Sequence, residues 1–302
     1  MSENLPHQTP DTLCVIVHFG NPRDTLECLE SLRHEIALTI VVVDNDPQQS
    51  FTAPQQDLLA AETYKTGGSM GFAEANNFGV QKARKDGHAY VLLLNNDTVV
   101  EPGAIQKLKT TLAGDKVGIA GPAMPYFDQP DTLWAAGGTI SKSLVTIDGI
   151  RAPRSTPISE VDYLPGAALM TRLDLWDSIG GLPERYFLAF EEAQYALEVS
   201  KRGYKVLVNN EARILHKVGM SSDRQPMYYY NTVRNRIRFG QYLFGRLAGG
   251  LLGALSGLLR SYTPKRLMLW LKAVSDEVSG KPLDAEALRN VANTQRSRKA
   301  SP

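Results

Sequence analysis

In the first 120 residues, short apolar runs of strand type alternate with segments of helical periodicity, and this alternation constrains the fold more than any other feature. Leu13–Phe19 is a nearly continuous apolar run followed by the helix-start pair Asn21-Pro22. Arg23–Leu32 then reads as a helix, with Leu26, Leu29 and Leu32 spaced for one face. Thr39–Asp44 reads as a second strand, Ala53–Ala61 as a second helix and Glu62–Thr66 as a weaker third strand. After the Gly67-Gly68-Ser69 turn, Phe72, Ala75, Gly79 and Ala83 stripe a helix that ends near Gly87. Tyr90–Leu94 is apolar throughout, as a strand buried on both faces should be. Pro102–Ala113 and Val117–Ala120 add one more helix and strand. The repetition predicts an α/β fold around a mostly parallel, helix-covered sheet.

After Gly121 the rhythm changes. Residues 126–159 are rich in Pro, Gly, Asp and Thr, with only short strands at Leu133–Ala135 and Thr139–Ile140. Asp162–Thr171 reads as a strand around Gly166, Asp174–Ile179 as a short helix, Phe190–Arg202 as a helix and Lys205–Val208 as a strand. From about Met227 the pattern is helical to near Arg260, and Ala285–Pro302 is polar, basic and read as frayed. The expected organisation is a unit over 1–225, with halves at about 12–120 and 121–225, followed by a basic helical extension over 226–302.

Composition narrows the class. With 43% hydrophobic residues in 302, the chain is too apolar for intrinsic disorder. The net charge of +1 is a cancellation: residues 1–200 carry 14 basic and 26 acidic side chains, residues 201–302 carry 19 and 6. Such asymmetry points to a membrane or nucleic-acid contact. No reading-helix or aromatic-sheet motif accompanies the basic part, so nucleic acid is not expected. Cys14 and Cys28 are too few for a disulfide scaffold or a four-thiolate metal site. The polar start lacks the charged and apolar regions of a signal peptide, and Leu247–Leu259 is too short to span a bilayer. A cytoplasmic protein is expected, with peripheral contact to the inner membrane face left open.

The strand Tyr90–Leu94 runs into Asn95-Asn96-Asp97-Thr98. In open parallel sheets ligands bind beyond the carboxyl ends of the strands, and an acid there suits a hard divalent cation bridging phosphates. The same run also suits a plain turn with an N-cap. Asp44-Asn45-Asp46 and Gly67-Gly68-Ser69 close two further strands, a row of polar and glycine-rich ends expected where a nucleotide lies across a sheet edge.

Val43-Asp44-Asn45, Met70-Gly71-Phe72-Ala73, Asn76-Asn77-Phe78-Gly79 and Leu94–Thr98 together resemble the family 2 glycosyltransferases of the GT-A (Rossmann-like) fold, nearest the bacterial rhamnosyltransferase-like branch. The resemblance continues through Gly166–Arg172, Gly180–Phe187, Glu191-Glu192, Arg202-Gly203-Tyr204 and His216-Lys217, covering roughly residues 12–240. It implies donor-binding roles for His18, Asn21, Asp44, Asn45, Gly68, Gly71, Asn76, Asn95, Asn96 and Asp97. Asp97 then stands as the metal-binding carboxylate for Mn²⁺ or Mg²⁺, with His216 completing the site. A lone histidine after an apolar strand is also compatible with a satisfied core residue.

The same resemblance makes Glu192 the catalytic base, with Glu191 as an orienting or acceptor-binding neighbour. Inverting transfer needs a carboxylate to take the acceptor proton. Acids in a first helical turn also simply complement the helix dipole. Two departures from the family pattern stand out: Gln194 occupies the place of a further acid, and Leu182-Pro183 replaces the usual Phe-Asp. Trp134 and Gly166 are candidates for the acceptor side, as are Asp162 and Tyr163, with packing as the plainer role for the aromatics.

In the basic third, Val233, Ile237, Phe244, Leu247 and Leu251 read as one apolar stripe, while Arg234, Arg236, Arg238 and Arg246 point elsewhere. Residues 228–272 are thus suited to an anionic membrane surface, to the catalytic unit or to a second subunit in a homodimer. The implied function is an inverting, metal-dependent transferase. It moves a sugar from a dTDP- or UDP-linked donor, with dTDP-L-rhamnose leading, to a hydroxyl of a cell-surface or lipid-linked glycan. A sugar-phosphate nucleotidyltransferase and a non-catalytic glycan-binding subunit are the rival classes.

Overall fold

The first predicted strand is β1 (Thr12–His18), buried at every position. β2 (Leu38–Asp44) and β4 (Tyr90–Asn95) flank it, both parallel to it. In the computed structural model, which describes residues 10–35, 38–52, 61–152, 155–217, 225–261 and 263–281, β1 therefore lies deep inside the sheet. Its alternate side chains enter two cores. Leu13, Val15 and Val17 join one cluster with Ala73, Trp176, Tyr195 and Val199, while Cys14 and Ile16 join another with Cys28, Leu29, Ile105 and Leu108. Alternation along the strand thus covers both sheet faces with helices.

The helices concerned are α1 (Pro22–Ser31), α2 (Phe72–Ala83), α3 (Ala104–Leu112), α4 (Leu173–Ile179) and α5 (Glu191–Lys201). α1 starts where the sequence says it should: the Asn21 side chain accepts from the Arg23 N–H, and Pro22 occupies the first turn. The remaining strands are β3 (Glu62–Lys65), β5 (Thr98–Val100), β6 (Val117–Tyr126), β7 (Gln129–Ala135), β8 (Gly138–Ser141), β9 (Thr146–Gly149), β10 (Ile158–Glu160), β11 (Ala168–Arg172) and β12 (Lys205–His216). Ten strands among the described residues form one sheet in the order β10-β12-β6-β11-β4-β1-β2-β3, with β5 on β12 and β7 on β6.

β11 runs antiparallel to both β4 and β6, and β12 runs parallel to β6. Two reversals restore direction, so β1, β2, β4, β6 and β12 all point their carboxyl ends to one edge. That edge is where the candidate residues collect.

Several expected boundaries move. β6 continues through Pro122 and Pro125 to Tyr126, and register shifts against β7 at Met124–Tyr126 absorb the missing donors. β12 continues past a register shift between Asn209 and Arg213 to His216. Only Ala168–Arg172 of the expected strand Asp162–Thr171 is a strand; Pro165-Gly166 precedes it as a turn. The expected helix Ala53–Ala61 and the tail Ala285–Pro302 lie outside the described residues, Ala61 excepted.

The C-terminal helices are α6 (Gln225–Phe244), α7 (Arg246–Leu258) and α8 (Pro264–Val278). The expected single stripe is corrected. Gly245, at φ +82°, ends α6, so Val233 and Ile237 are buried while Phe244, Leu247 and Leu251 are exposed. Arg234 and Arg236, off that stripe, are buried and so are not part of a basic face offered to a membrane. Arg234 is tolerated inside because α8 brings Glu277 to its Nε at 2.8 Å and the Lys281 carbonyl accepts at 2.7 Å. α7 meets α6 backbone to backbone: a Cβ on Gly249 would stand 1.9 Å from the Gly240 carbonyl oxygen. Phe239 of α6 belongs to the same core cluster as α5.

Candidate functional site

The first centre forms because the chain folds back on itself at the carboxyl edge. β4 ends at Asn95, whose N–H bonds the Ala167 carbonyl at 2.8 Å and whose carbonyl accepts the Thr98 hydroxyl at 2.7 Å. The chain turns through Asp97 into β5, which pairs antiparallel with the end of β12 and sets Thr98 opposite His216. The Lys217 N–H donates to the Asp97 carbonyl at 2.9 Å, fixing the turn. His216 Nε2 consequently stands 3.2 Å from Asp97 Oδ1. Trp134 meets the imidazole edge-on, with ring centroids 4.3 Å apart. His216 is buried and its Nδ1 has no partner among the described residues, whereas Asp97 keeps about a third of its side chain exposed, 31%. A carboxylate and an imidazole therefore face each other, the carboxylate partly exposed and the imidazole buried.

Around this pair, several predicted donor contacts are turned inward. His18 is fully buried, its Nδ1 2.6 Å from the Thr25 hydroxyl and its Nε2 2.6 Å from the Gln49 carbonyl. Asn96 donates to the same Thr25 hydroxyl at 3.0 Å and to the Phe19 carbonyl at 3.3 Å. Thr25, which carries no sequence signal of its own, thus ties β1, α1 and β4 together, and His18 and Asn96 shape the edge instead of presenting side chains to it. Asn21 is the exposed N-cap of α1.

The second strand end is likewise a brace with one opening. The Asn45 amide grips Met70 on both sides, accepting from its N–H at 2.8 Å and donating to its carbonyl at 3.0 Å. Asp46 accepts from the N–H groups of Gly20, Gln48 and Gln49, a role the sequence did not reveal. Asp44 accepts from the Ser50 hydroxyl through Oδ2, while its Oδ1 is buried without a partner among the described residues. Asn76 is buried and donates to the Phe72 carbonyl at 2.9 Å. Gly71 caps α2 where a Cβ would press the Phe187 carbonyl oxygen at 3.1 Å, and a Cβ on Gly68 would meet nothing. Gly166 is a packing position: a Cβ there would reach the Phe72 ring at 2.8 Å.

The second centre is the start of α5. Ala189 and Phe190 hold φ of +71° and +80°, an uncommon pair of left-handed residues without glycine. The turn is paid for by its neighbours. The Ala189 N–H donates to Glu191 Oε1 at 3.0 Å, and the Leu188 and Ala189 carbonyls accept from the Asn235 amide of α6 at 2.7 and 2.9 Å. Glu191 is buried, and one oxygen each of Glu191 and Glu192 is buried with no partner among the described residues. Burial pushes the Glu192 carboxyl up to about 7. Burial, then the neighbouring Glu192 charge, pushes Glu191 well above the usual range. Backbone N–H groups at the helix start pull the other way and lose.

The departures from the family pattern have structural answers. Gln194 accepts the Tyr186 hydroxyl at 2.7 Å, a neutral acceptor beside two carboxyls that already resist ionisation. Leu182 is clamped by Asn77, which accepts from its N–H at 2.9 Å and donates to its carbonyl at 2.8 Å. Arg236, buried on α6, places its guanidinium 6.0 Å from the Phe190 ring, and burial lowers it to about 10. Tyr163 is buried, and burial, reinforced by the Glu192 charge, raises its hydroxyl.

Among the described residues no three His, Cys, Asp or Glu side chains group as a metal cage. Asp97 and His216 would supply two ligands, a number that fits a hard cation shared with a phosphate-bearing ligand. Such an ion, when bound, supplies positive charge against a departing diphosphate.

Comparison with known proteins finds relatives by sequence and by fold. A sequence model of the Glycosyltransferase like family 2 matches residues 10–239. The dTDP-rhamnosyl transferase RfbF of Shigella flexneri is 20% identical over 230 residues, 73% of this chain and 77% of that protein. The low-salt glycan biosynthesis hexosyltransferase Agl10 of Haloferax volcanii is 22% identical over 247 residues, 78% and 77% of the two chains. Among solved structures, the mannosyltransferase PcManGT of Pyrobaculum calidifontis, in complex with GDP-Man and Mn²⁺, matches 96% of this chain and 81% of its own at TM-score 0.55 and 13% identity. TarS of S. aureus, residues 1–349 in complex with UDP-GlcNAc, matches 90% and 82% at TM-score 0.57 and 13% identity. These structures share the GT-A fold with this chain.

Proposed function

The chain belongs to the glycosyltransferase-like family 2, and from that premise we propose that it is an inverting, metal-dependent hexosyltransferase with a nucleoside diphosphate sugar as donor. The observation that carries this reading is the Asp97–His216 pair at 3.2 Å on the carboxyl edge of the sheet. We take the donor to be dTDP-linked, with L-rhamnose as the sugar, by the similarity to RfbF; a UDP donor is the alternative. The catalytic unit runs over 1–225, its nucleotide half about 12–120 and its acceptor half about 121–225.

The chemistry follows from the two centres. Asn45 and Gly71 hold the β2–α2 segment beside the nucleotide, and Asp97 with His216 would hold the cation. Glu192, with its carboxyl raised to about 7, is half ionised near neutrality and matched to taking a proton from a sugar hydroxyl. As that proton passes to Glu192, the hydroxyl oxygen bonds to the anomeric carbon on the face opposite the diphosphate. The carbon–oxygen bond to the diphosphate breaks with its electron pair, releasing the nucleoside diphosphate, and Glu192 returns its proton to solvent. Glu191 is buried and Glu192 half-buried, which limits the water that can compete as acceptor.

The acceptor is a glycan hydroxyl, on a lipid-linked or cell-surface chain, and we place the enzyme against an anionic bilayer through α7 and α8. From Arg246 to Ser275 there are five basic residues and no acid. Leu247, Leu251, Leu255, Leu259, Met268 and Leu271 are exposed. No helix among the described residues is long and apolar enough to cross a membrane.

Nucleoside diphosphate release from dTDP-, UDP- and GDP-sugars, with Mn²⁺ or Mg²⁺ and with or without acceptor glycans, tests the function. Acceptor-stimulated release supports transfer. Pyrophosphate release from a nucleoside triphosphate and a sugar phosphate would establish the nucleotidyltransferase instead, and glycan binding without turnover a non-catalytic subunit.

A further inference from the structure

The Tyr228–Arg238 segment holds a pattern that its amphipathic character does not use. Tyr228, Asn231 and Asn235 recur at spacings of three and four, along one stripe of α6. One end of the stripe is tied to the acid pair by hydrogen bonds. Asn235 donates to the Ala189 carbonyl at 2.9 Å, and the N–H of that same residue donates to Glu191 at 3.0 Å. Tyr228, one turn before Asn231, is 52% exposed; partial desolvation and then the charge of Glu192 raise its hydroxyl.

Asn231 sits between these two positions, 0% exposed, and neither its Oδ1 nor its Nδ2 has a partner among the described residues. Buried polar groups are nearly always hydrogen-bonded, and a whole amide left unmatched is exceptional. Glu191 and Glu192 each keep one buried oxygen in the same condition. Asn231 donates to neither carboxyl, so the amide and the two carboxyl oxygens all keep unused hydrogen-bonding capacity.

We propose that α6 forms one wall of the acceptor subsite, and that Asn231 hydrogen-bonds a ring hydroxyl of a neutral pyranoside whose neighbouring hydroxyl lies on Glu192. A hydroxyl both donates and accepts, which is what one amide and two carboxyl oxygens require. A neutral sugar is selected because an anionic one would be repelled by Glu192 in its ionised, proton-accepting form. The inference rests on Glu192 being the base, and it moves part of α6 from the C-terminal extension into the active site.

The test uses the full chain with Mg²⁺ and dTDP or UDP, probed by saturation-transfer NMR. The probes are methyl α-L-rhamnoside, methyl α-D-mannoside, methyl β-D-galactoside and methyl N-acetyl-β-D-glucosaminide. At least one glycoside binds the wild type, and Asn231→Leu weakens it by about tenfold or more while nucleotide affinity stays within about twofold. Asn231→Leu also leaves Tm unchanged or raises it, because an apolar isostere removes an unpaired amide. A merely structural asparagine would lower Tm instead. Should Asn231→Leu fail to accumulate, Asn231→Ala carries the same expectation for binding. Unchanged glycoside affinity in the variant, equal losses of nucleotide and glycoside binding, or no glycoside bound by the wild type would each overturn the proposal. Failure of both nucleotides to bind the wild type is a different result, and it removes the function on which the proposal stands.

Discussion

Asp97 and His216, 119 residues apart in the chain, meet at 3.2 Å because β5 and the end of β12 pair antiparallel. The pairing carries most of the metal reading, since neither residue alone sits in a cluster of ligands. Asp97→Ala removes the exposed carboxylate and leaves the buried imidazole with nothing to face. Mn²⁺-supported nucleotide affinity should fall by about tenfold or more, roughly 1.4 kcal/mol, while metal-free affinity changes little. Isothermal titration of dTDP and UDP with and without Mn²⁺ checks this, and undiminished metal dependence would discard the site.

Glu192 sets the pH behaviour. With its carboxyl at about 7, the ionised base is lost as pH falls, so kcat/KM should rise through about pH 7 and level above it. Glu192→Gln should lower kcat by on the order of 10²–10⁴-fold with donor affinity retained. Stability moves in the opposite sense. The folded carboxyl is raised above its ordinary 4.5, so the folded state holds the proton more tightly than the unfolded chain. The stability that Glu192 contributes is therefore fully present below about pH 4.5 and, beside a decline of the same sign from Glu191, declines as pH rises to about 7. Glu192→Gln should lack that decline, and above pH 7 it should be the more stable protein, by at most about 3 kcal/mol. Thermal melts at pH 5 and pH 8 settle the sign; a variant less stable at pH 8 would refute the burial argument.

Much of the sheet was legible because β1, β2 and β4 carry their burial in consecutive apolar residues. The strands that were cut short, β6 and β12, contain prolines or a register shift, features that look like strand ends until a neighbour supplies the pairing. At the site, sequence motifs located Asp97, Glu191 and Glu192 but not which polar side chains face inward. His18 and Asn96 look alike in sequence to ligand contacts, yet Thr25, one helical turn into α1, takes both. Asn235 and Arg236 were invisible as site residues, since a tertiary contact between α6 and the 188–190 turn is not encoded in any local pattern. The burial of Arg234 is hidden for the same reason: Glu277, 43 residues on, provides its counter-charge.

The α6–α7 contact is a tight one. A Cβ on Gly249 would fall 1.9 Å from the Gly240 carbonyl oxygen and 2.3 Å from its carbon, and backbone cannot rotate away. Gly249→Ala must push the helices apart, costing about 1–3 kcal/mol as other overpacked sites do. Its normal φ means conformational freedom is not at issue. Differential scanning calorimetry should show a lowered Tm with nucleotide affinity retained, because the sheet edge is built from other elements. A Tm equal to wild type would mean that α7 is held to α6 by its rim and not by this contact.

The exposed face of α7 and α8 gives the last expectation. Leu251 and Leu255 lie one turn apart and both are exposed, at 63% and 47%. Burial of each in an apolar phase contributes about 1.5–3 kcal/mol, and nearby Lys or Arg adds roughly 1 kcal/mol apiece at an anionic surface. The protein should therefore sediment with vesicles containing phosphatidylglycerol and much less with phosphatidylcholine alone, and added salt should weaken the first. Leu251→Glu with Leu255→Glu places two acids in the lipid-facing stripe and should abolish sedimentation without altering Tm or nucleotide affinity, since neither side chain supports the core. The same leucines would equally cover a second copy of the chain. Light scattering separates the two: a monomer that loses vesicles on substitution confirms lipid as the partner, and a dimer that dissociates on substitution, with vesicle binding absent throughout, assigns the face to self-association.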